Sequence, residues 1–95
     1  MPIVFRDIRG YKVYFFLDES TPLEPVHVHV SKQIHKDATK FWVLSDGRCE
    51  LDHNKDRIPS HELKDIKAFI EAYHDEVLAK WIARFGEIRF RDNQD

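Results

Sequence analysis

The chain is poor in cysteine (one), glycine (three) and proline (four) across 95 residues, and poor in net charge: 15 Lys and Arg against 17 Asp and Glu leave −2. Each scarcity excludes something. One cysteine builds neither a disulfide framework nor a multi-cysteine zinc site, and it suits a reducing cytoplasm. No apolar run approaches the ~18 residues that cross a bilayer, so no membrane partner is expected. The opening Met1-Pro2-Ile3-Val4-Phe5-Arg6-Asp7 lacks the basic-then-apolar layout of a signal peptide. Without a basic excess, bulk charge does not hold the chain to nucleic acid. There is no glycine-rich phosphate cradle, no nucleophile elbow and no Cys-x-x-Cys pair, and no cofactor is implied.

What is present is 42% hydrophobic residues, 13% aromatics and six histidines. That is enough core for one domain, since compact domains run ~100–200 residues and rarely split below that. Residues 1–95 read as a single cytoplasmic α+β domain. The first half alternates with a period of two. Strands are expected at Ile3-Val4-Phe5-Arg6, at Tyr11 to Leu17 after a turn at Asp7 to Gly10, and at Val26 to Val30 after a proline-bearing loop, Asp18 to Pro25. A loop at Gln33 to Asp37 precedes a fourth strand, Thr39 to Leu44. Asp46-Gly47 is a hairpin signal leading to a fifth, Arg48 to His53.

The second half carries helical spacing: Leu63, Ile66, Phe69, Ile70, Tyr73, Val77, Leu78, Trp81 and Phe85 share one stripe. This predicts one long helix, started by Pro59-Ser60 with Ser60 as N-cap and Glu62 and Asp65 near its positive end, and stopped by Gly86. Residues 61–84 would extend ~36 Å at 1.5 Å per residue. Glu87 to Arg91 reads as a short edge strand or an arm, and Asp92 to Asp95 as a fraying tail. The expected architecture is a small, mostly antiparallel sheet of four to five strands, packed on one face by this helix.

One helix covers one face. Successive strand side chains alternate between faces. The aliphatic sets (Tyr11, Val13, Phe15, Leu17; Val26, Val28, Val30; Phe41, Val43) suit the helix. The opposite face then collects Lys12, Tyr14, Phe16, His27, His29, Lys40 and Trp42. With nothing evident to cover it, this aromatic, basic and imidazole-rich surface is predicted to be exposed and to mark an interaction site.

His27 and His29 lie ~6.7 Å apart along one strand face. They admit three readings: two ligands of a metal, with a third from Glu24, Glu50, Asp52 or His53; a general acid–base pair of a metal-independent ribonuclease, with Lys12 or Lys40 stabilising charge on phosphorus; or half-exposed polar residues of the sheet or of a dimer seam. His74, inside the apolar stripe, reads as a hydrogen-bonded core residue on the other side of the sheet. Trp81 and Phe85 read as core or dimer contacts, Cys49 as buried and inert. The run Asp52 to Arg57 reads as a solvated loop.

The blocks Pro25-Val26-His27-Val28-His29-Val30, Ala38-Thr39-Lys40-Phe41-Trp42, Leu51 with Asn54, and Ser60…Glu62-Leu63…Ile66…Ile70…His74…Leu78…Trp81 resemble a bacterial family, the domain of unknown function numbered 4160. Its hallmark is Pro-Pro-His-Val-His-Val followed by Ala-Lys-Phe-Trp. The resemblance spans about residues 2–86; 87–95 lie beyond it. This chain departs at Val26, in place of the second Pro, at Thr39, inserted between Ala38 and Lys40, and in the polar stretch from Gly47 to Asp52. The matching positions are His27, His29, Lys40, Trp42, Asn54 and His74. The resemblance implies a neighbouring gene for another small domain, in a toxin–antitoxin-like pair.

Three functions follow. The first is one member of such a pair, binding a protein partner or RNA through Lys12, Tyr14, Phe16, Lys40, Trp42 and Asn54, with bases stacked on the rings. The second is the ribonuclease using His27 and His29. The third is a non-catalytic homodimer or a His-ligated metal site.

Overall fold

A computed structural model describes residues 2–16 and 24–93. Five strands, β1 (Pro2–Ile8), β2 (Tyr11–Phe16), β3 (His27–Ser31), β4 (Thr39–Val43) and β5 (Cys49–His53), are followed by helices α1 (Ser60–Ala72) and α2 (His74–Phe85) and a 3-10 turn at Arg91–Asn93. The strands pair antiparallel in sequence order, β1-β2-β3-β4-β5. Leu17, most of the loop assigned to Asp18 to Pro25, and the last two tail residues lie outside the described residues.

The turns follow local chemistry. Arg9 (φ 53°) and Gly10 (φ 83°) form a two-residue connection with both residues left-handed, the twist a β-hairpin prefers. The turn is therefore tighter than the expected Asp7 to Gly10, and β1 runs on to Ile8. In the β4–β5 hairpin Leu44 N–H donates to Arg48 O at 2.7 Å and Gly47 N–H to Leu44 O at 3.0 Å. Gly47, at φ 89°, supplies the left-handed residue that closes this three-residue loop.

The helical segment is two helices, not one. Tyr73 leaves the helix (φ −110°, ψ 19°) between α1 and α2. The cause is beside it: the His74 ring hydrogen-bonds through Nδ1 to the Glu71 carbonyl at 2.8 Å. In a continuous helix that carbonyl would accept the backbone N–H four residues on. A side chain occupying it interrupts the ladder. Two shorter rods also follow a twisted sheet better than one of ~36 Å. Ser60 is the first helical residue, not the cap: Pro59 holds that place without a side-chain bond, its carbonyl accepting Leu63 N–H at 2.8 Å. Gly86 ends α2 at φ 75°, its N–H bonded to Ile82 O.

Side-chain parity sorts the sheet as expected. Tyr11, Val13, Phe15, Val28, Val30, Phe41 and Val43 pack with Ile66, Ile70, Val77 and Trp81 in one core. Each fully buried Val or Phe contributes about 1.5–3 kcal/mol relative to exposure. The segment after Gly86 is an arm, not a strand. Val26 N–H donates to Arg89 O at 2.9 Å, Ile88 and Phe90 pack on the core, and Arg91 pairs with Glu50. Asp92, expected to fray, is tied down: Ser45 donates to its carboxylate from Oγ at 2.7 Å and from N–H at 3.1 Å. Those bonds, the hydroxyl's first, hold its carboxyl below the usual range.

Candidate functional site

The register places the histidine face as parity requires. Tyr14 lies opposite His29, His27 opposite Trp42 and His29 opposite Lys40. The expected exposure fails, however. His27 is 1% exposed, His29 8% and Trp42 9%, and Tyr14 is fully buried. The rings shelter one another edge to face: His27 and His29 centroids stand 5.2 Å apart, His27 and Trp42 5.7 Å, Tyr14 and Phe16 5.5 Å. Lys40 lays its ammonium 4.2 Å above the Trp42 ring and bonds Glu24 at 3.2 Å. Arg91, from the arm, sits 5.7 Å from the same ring. Amphipathic side chains thus cap the aromatic layer with their stems and keep their charges outward. Lys12 and Phe16 remain half-exposed.

The two layers meet at one end of the sheet. Among the described residues the β2–β3 pairing stops at Tyr14 and His29, leaving Phe15 paired only to Ile3 of β1 and His27 only to Trp42 of β4. There Trp81 touches Phe15 (5.0 Å) on the helix side and His27 (5.2 Å) from the other. Parity alone assigns those two residues to opposite faces; the parting of the strands lets one indole reach both.

The imidazoles are anchored through Nδ1, His27 to Pro25 O at 3.0 Å and His29 to Ala38 O at 3.3 Å. His27 Nε2 lies 4.0 Å from a Glu24 carboxylate oxygen. Among the described residues no group of three or more His, Cys, Asp or Glu is arranged to hold a metal ion. His53, opposite Lys40, has its Nδ1 buried without a hydrogen-bond partner among the described residues. Glu50 is engaged with Arg91.

Asn54 is a local organiser. Its side chain accepts from Ile58 N–H and Thr39 Oγ and donates to Ile58 O, all within 3.0 Å. Asp56 beside it accepts Thr39 N–H at 2.9 Å and meets His35 Nε2 at 2.8 Å. The run from Asp52 is therefore not a plain solvated loop: its first two residues end β5, and Asn54 and Asp56 pin the remainder to β4. His35 N–H in turn donates to Tyr14 Oη, and Tyr14 Oη bonds Ser31 Oγ at 2.6 Å. His35 and Asp56 line a cleft of about 370 Å³ with Tyr11, Ser31, Lys32 and Gln33. Burial, then the Glu62 carboxylate, raises the Tyr11 hydroxyl above its ordinary pKa. Sequence reading missed this His35–Asp56 pair because its members stand 21 residues apart in two loops with no shared period.

His74 stands away from this layer, half-buried over Gly47 of the β4–β5 hairpin. Cys49 is buried, as expected, with its Sγ 3.7 Å from Lys67 O.

The outer side of β5 is the other notable feature. Leu44 and Arg48 form a hydrogen-bonded pair, and pairing alternates along an antiparallel ladder. Cys49, opposite Val43, and Leu51, opposite Phe41, therefore turn their backbone N–H and C=O away from β4. Cys49 N–H confirms the direction by donating to the Glu71 carboxylate of α1 at 2.9 Å. The Leu51 side chain is 39% exposed. Two clefts of about 280 and 310 Å³ flank it, and Lys67 lines both.

The model of one family, Domain of unknown function (DUF4160), matches residues 10–82. No curated protein and no solved structure matches.

Proposed function

The chain belongs to the DUF4160 family, a domain of unknown function, and from that premise we propose that it is a recognition module, one member of a toxin–antitoxin-like pair that acts by binding a protein partner. The observation carrying this reading is the edge of β5, where the backbone groups of Leu51 have no hydrogen-bond partner among the described residues and stand beside an exposed apolar side chain. Such an edge is a ready template for another chain. The opposite edge is blunted: β1 begins at Pro2 and carries a bulge between Val4 and Arg6.

The chemistry of the histidine face supports binding by the fold's surface over catalysis by that face. His27 and His29 point their Nδ1 atoms at backbone carbonyls and are nearly sealed from solvent. A base stacking on Trp42 or Tyr14, or a phosphodiester between the imidazoles, would require the layer to open. A homodimer through Tyr14, Phe16 and Trp42 meets the same obstacle.

The test is co-expression with the product of the adjacent gene, followed by size-exclusion chromatography. A stable complex is expected. Two separately eluting proteins, with no heat of mixing by calorimetry, would overturn the reading.

A further inference from the structure

We infer that the β5 edge accepts an extended segment of the partner protein, one whose side chains alternate between a basic face and a face of apolar and acidic residues. The inference rests on the recognition-module reading and specifies its ligand.

The backbone sets the mode. Leu51 N–H and C=O and the Cys49 C=O point outward, so a strand laid along β5 finds hydrogen-bonding partners at alternate residues. Glu71 already satisfies Cys49 N–H, which places the start of the free stretch at Cys49 C=O. The bulge between Lys40 and Phe41, with Asp52 as the extra residue of β5, ends it. The docking stretch is thus short, and side-chain contacts must carry much of the specificity.

Parity sets the chemistry. On the α1 side the incoming strand meets Leu51, Phe41 and Leu63, with Lys64 and Lys67 exposed above them. Neither lysine has an ion-pair partner among the described residues, so this side suits apolar and acidic residues in turn. On the opposite side it meets Glu50, whose half-exposed carboxylate already holds the Arg91 guanidinium, the chemistry that a Lys or Arg of the incoming strand would offer it. A second copy of this chain fits poorly. Antiparallel pairing of two β5 strands about Leu51 brings Lys64 and Lys67 of both copies to the same side of the joined sheet, and like charges brought together are destabilising.

The probe is a blocked synthetic peptide with Lys at every second position and Val and Glu alternating between them. Its charge-swapped twin has Glu at every second position and Val and Lys between. Titration of the intact chain is followed by amide chemical shifts. The expected result is saturable shifts confined to 49–51 and 64–71, with at least tenfold weaker binding of the twin. Absence of shifts there at millimolar peptide, or equal binding of the twin, overturns the inference.

Leu51→Pro removes the outward N–H without breaking a β4 ladder bond, and it is expected to abolish binding. Lys64→Glu with Lys67→Glu alters only exposed side chains, and it is expected to reverse the preference toward the twin. An unchanged preference in that double variant also overturns the inference. In the complex with the adjacent gene's product, retention by Leu51→Pro at wild-type affinity would refute edge docking and leave the module reading standing. No complex with the wild-type chain would refute the module reading, while the peptide titration still decides the edge.

Discussion

The imidazole of His74 lies so close over Gly47 that a Cβ there would meet its Nε2 at 2.6 Å and its Cε1 at 2.7 Å. Gly47 also holds a φ of 89°, so two independent costs converge on any side chain. Gly47→Ala is expected to lose about 2–4 kcal/mol of stability, from left-handed strain and overpacking together. In a His74→Ala background the same change should cost only about 1 kcal/mol, the backbone share. Urea unfolding of the four proteins of that cycle measures the coupling, and a coupling near zero would show that the ring and the hairpin do not press on each other.

Cys49 offers a pH test. Burial, then the nearby Glu71 carboxylate, pushes its thiol up to about 12 from 9.0, while Lys67 pulls the other way. A pKa raised in the folded state means that folding favours the neutral thiol. The associated stability is complete below about pH 9 and is lost as pH rises toward about 12. Two results are expected. Iodoacetamide at pH 8.5 should leave Cys49 of the folded chain unmodified and alkylate it in urea. The fall in unfolding free energy between pH 9 and pH 11 should shrink in Cys49→Ala. Rapid alkylation of the folded chain would contradict the burial.

How far these features were legible in the sequence depends on their range. The strand parity of Val28 and Val30 against His27 and His29, the Gly47 hairpin and the Gly86 stop rest on one to four neighbouring residues, and they read correctly. The helix break did not, because Tyr73 sits in an unbroken apolar period and the interruption comes from the side-chain bond of His74. Burial of Trp42 was illegible for a different reason. Its cover is charged: Lys40 from its own strand and Arg91 from an arm 49 residues away. A pattern of apolar residues says nothing about basic stems lying over a ring. The His35–Asp56 pair and the edge capped by Glu71 are likewise tertiary contacts without a local period.

Asp56 is expected to matter more than its surface position suggests. Its carboxylate receives Thr39 N–H at 2.9 Å, and Thr39 is fully buried. Asp56→Ala leaves that donor unsatisfied and should cost about 1–3 kcal/mol. His35→Ala removes only a half-exposed ring and its bond to the Asp56 carboxylate, so less than about 1 kcal/mol is expected. Amide hydrogen exchange at Thr39 should accelerate in the first variant and not in the second. Equal exchange rates in both would place the anchor of β4 elsewhere, with Asn54 the remaining candidate through its bond to Thr39 Oγ.

Trp81 couples the two layers of the sheet, and its substitutions should separate packing from polarity. The indole is fully buried among Phe15, Phe85 and His27, yet its Nε1 has no hydrogen-bond partner among the described residues. Trp81→Ala opens a cavity between the layers and should cost about 3–5 kcal/mol. Trp81→Phe keeps most of the ring contact and removes a buried N–H that is not satisfied, so the loss should stay below about 1.5 kcal/mol. The diagnostic reading is His27. Its ring stands 5.2 Å from Trp81 at an interplanar angle of 67°, within the ring current of the indole. Both substitutions should therefore move the His27 side-chain resonances while leaving those of His74 in place. If Trp81→Phe leaves the His27 resonances unmoved, the indole does not reach through the parting of β2 and β3, and the histidine layer folds independently of the helices.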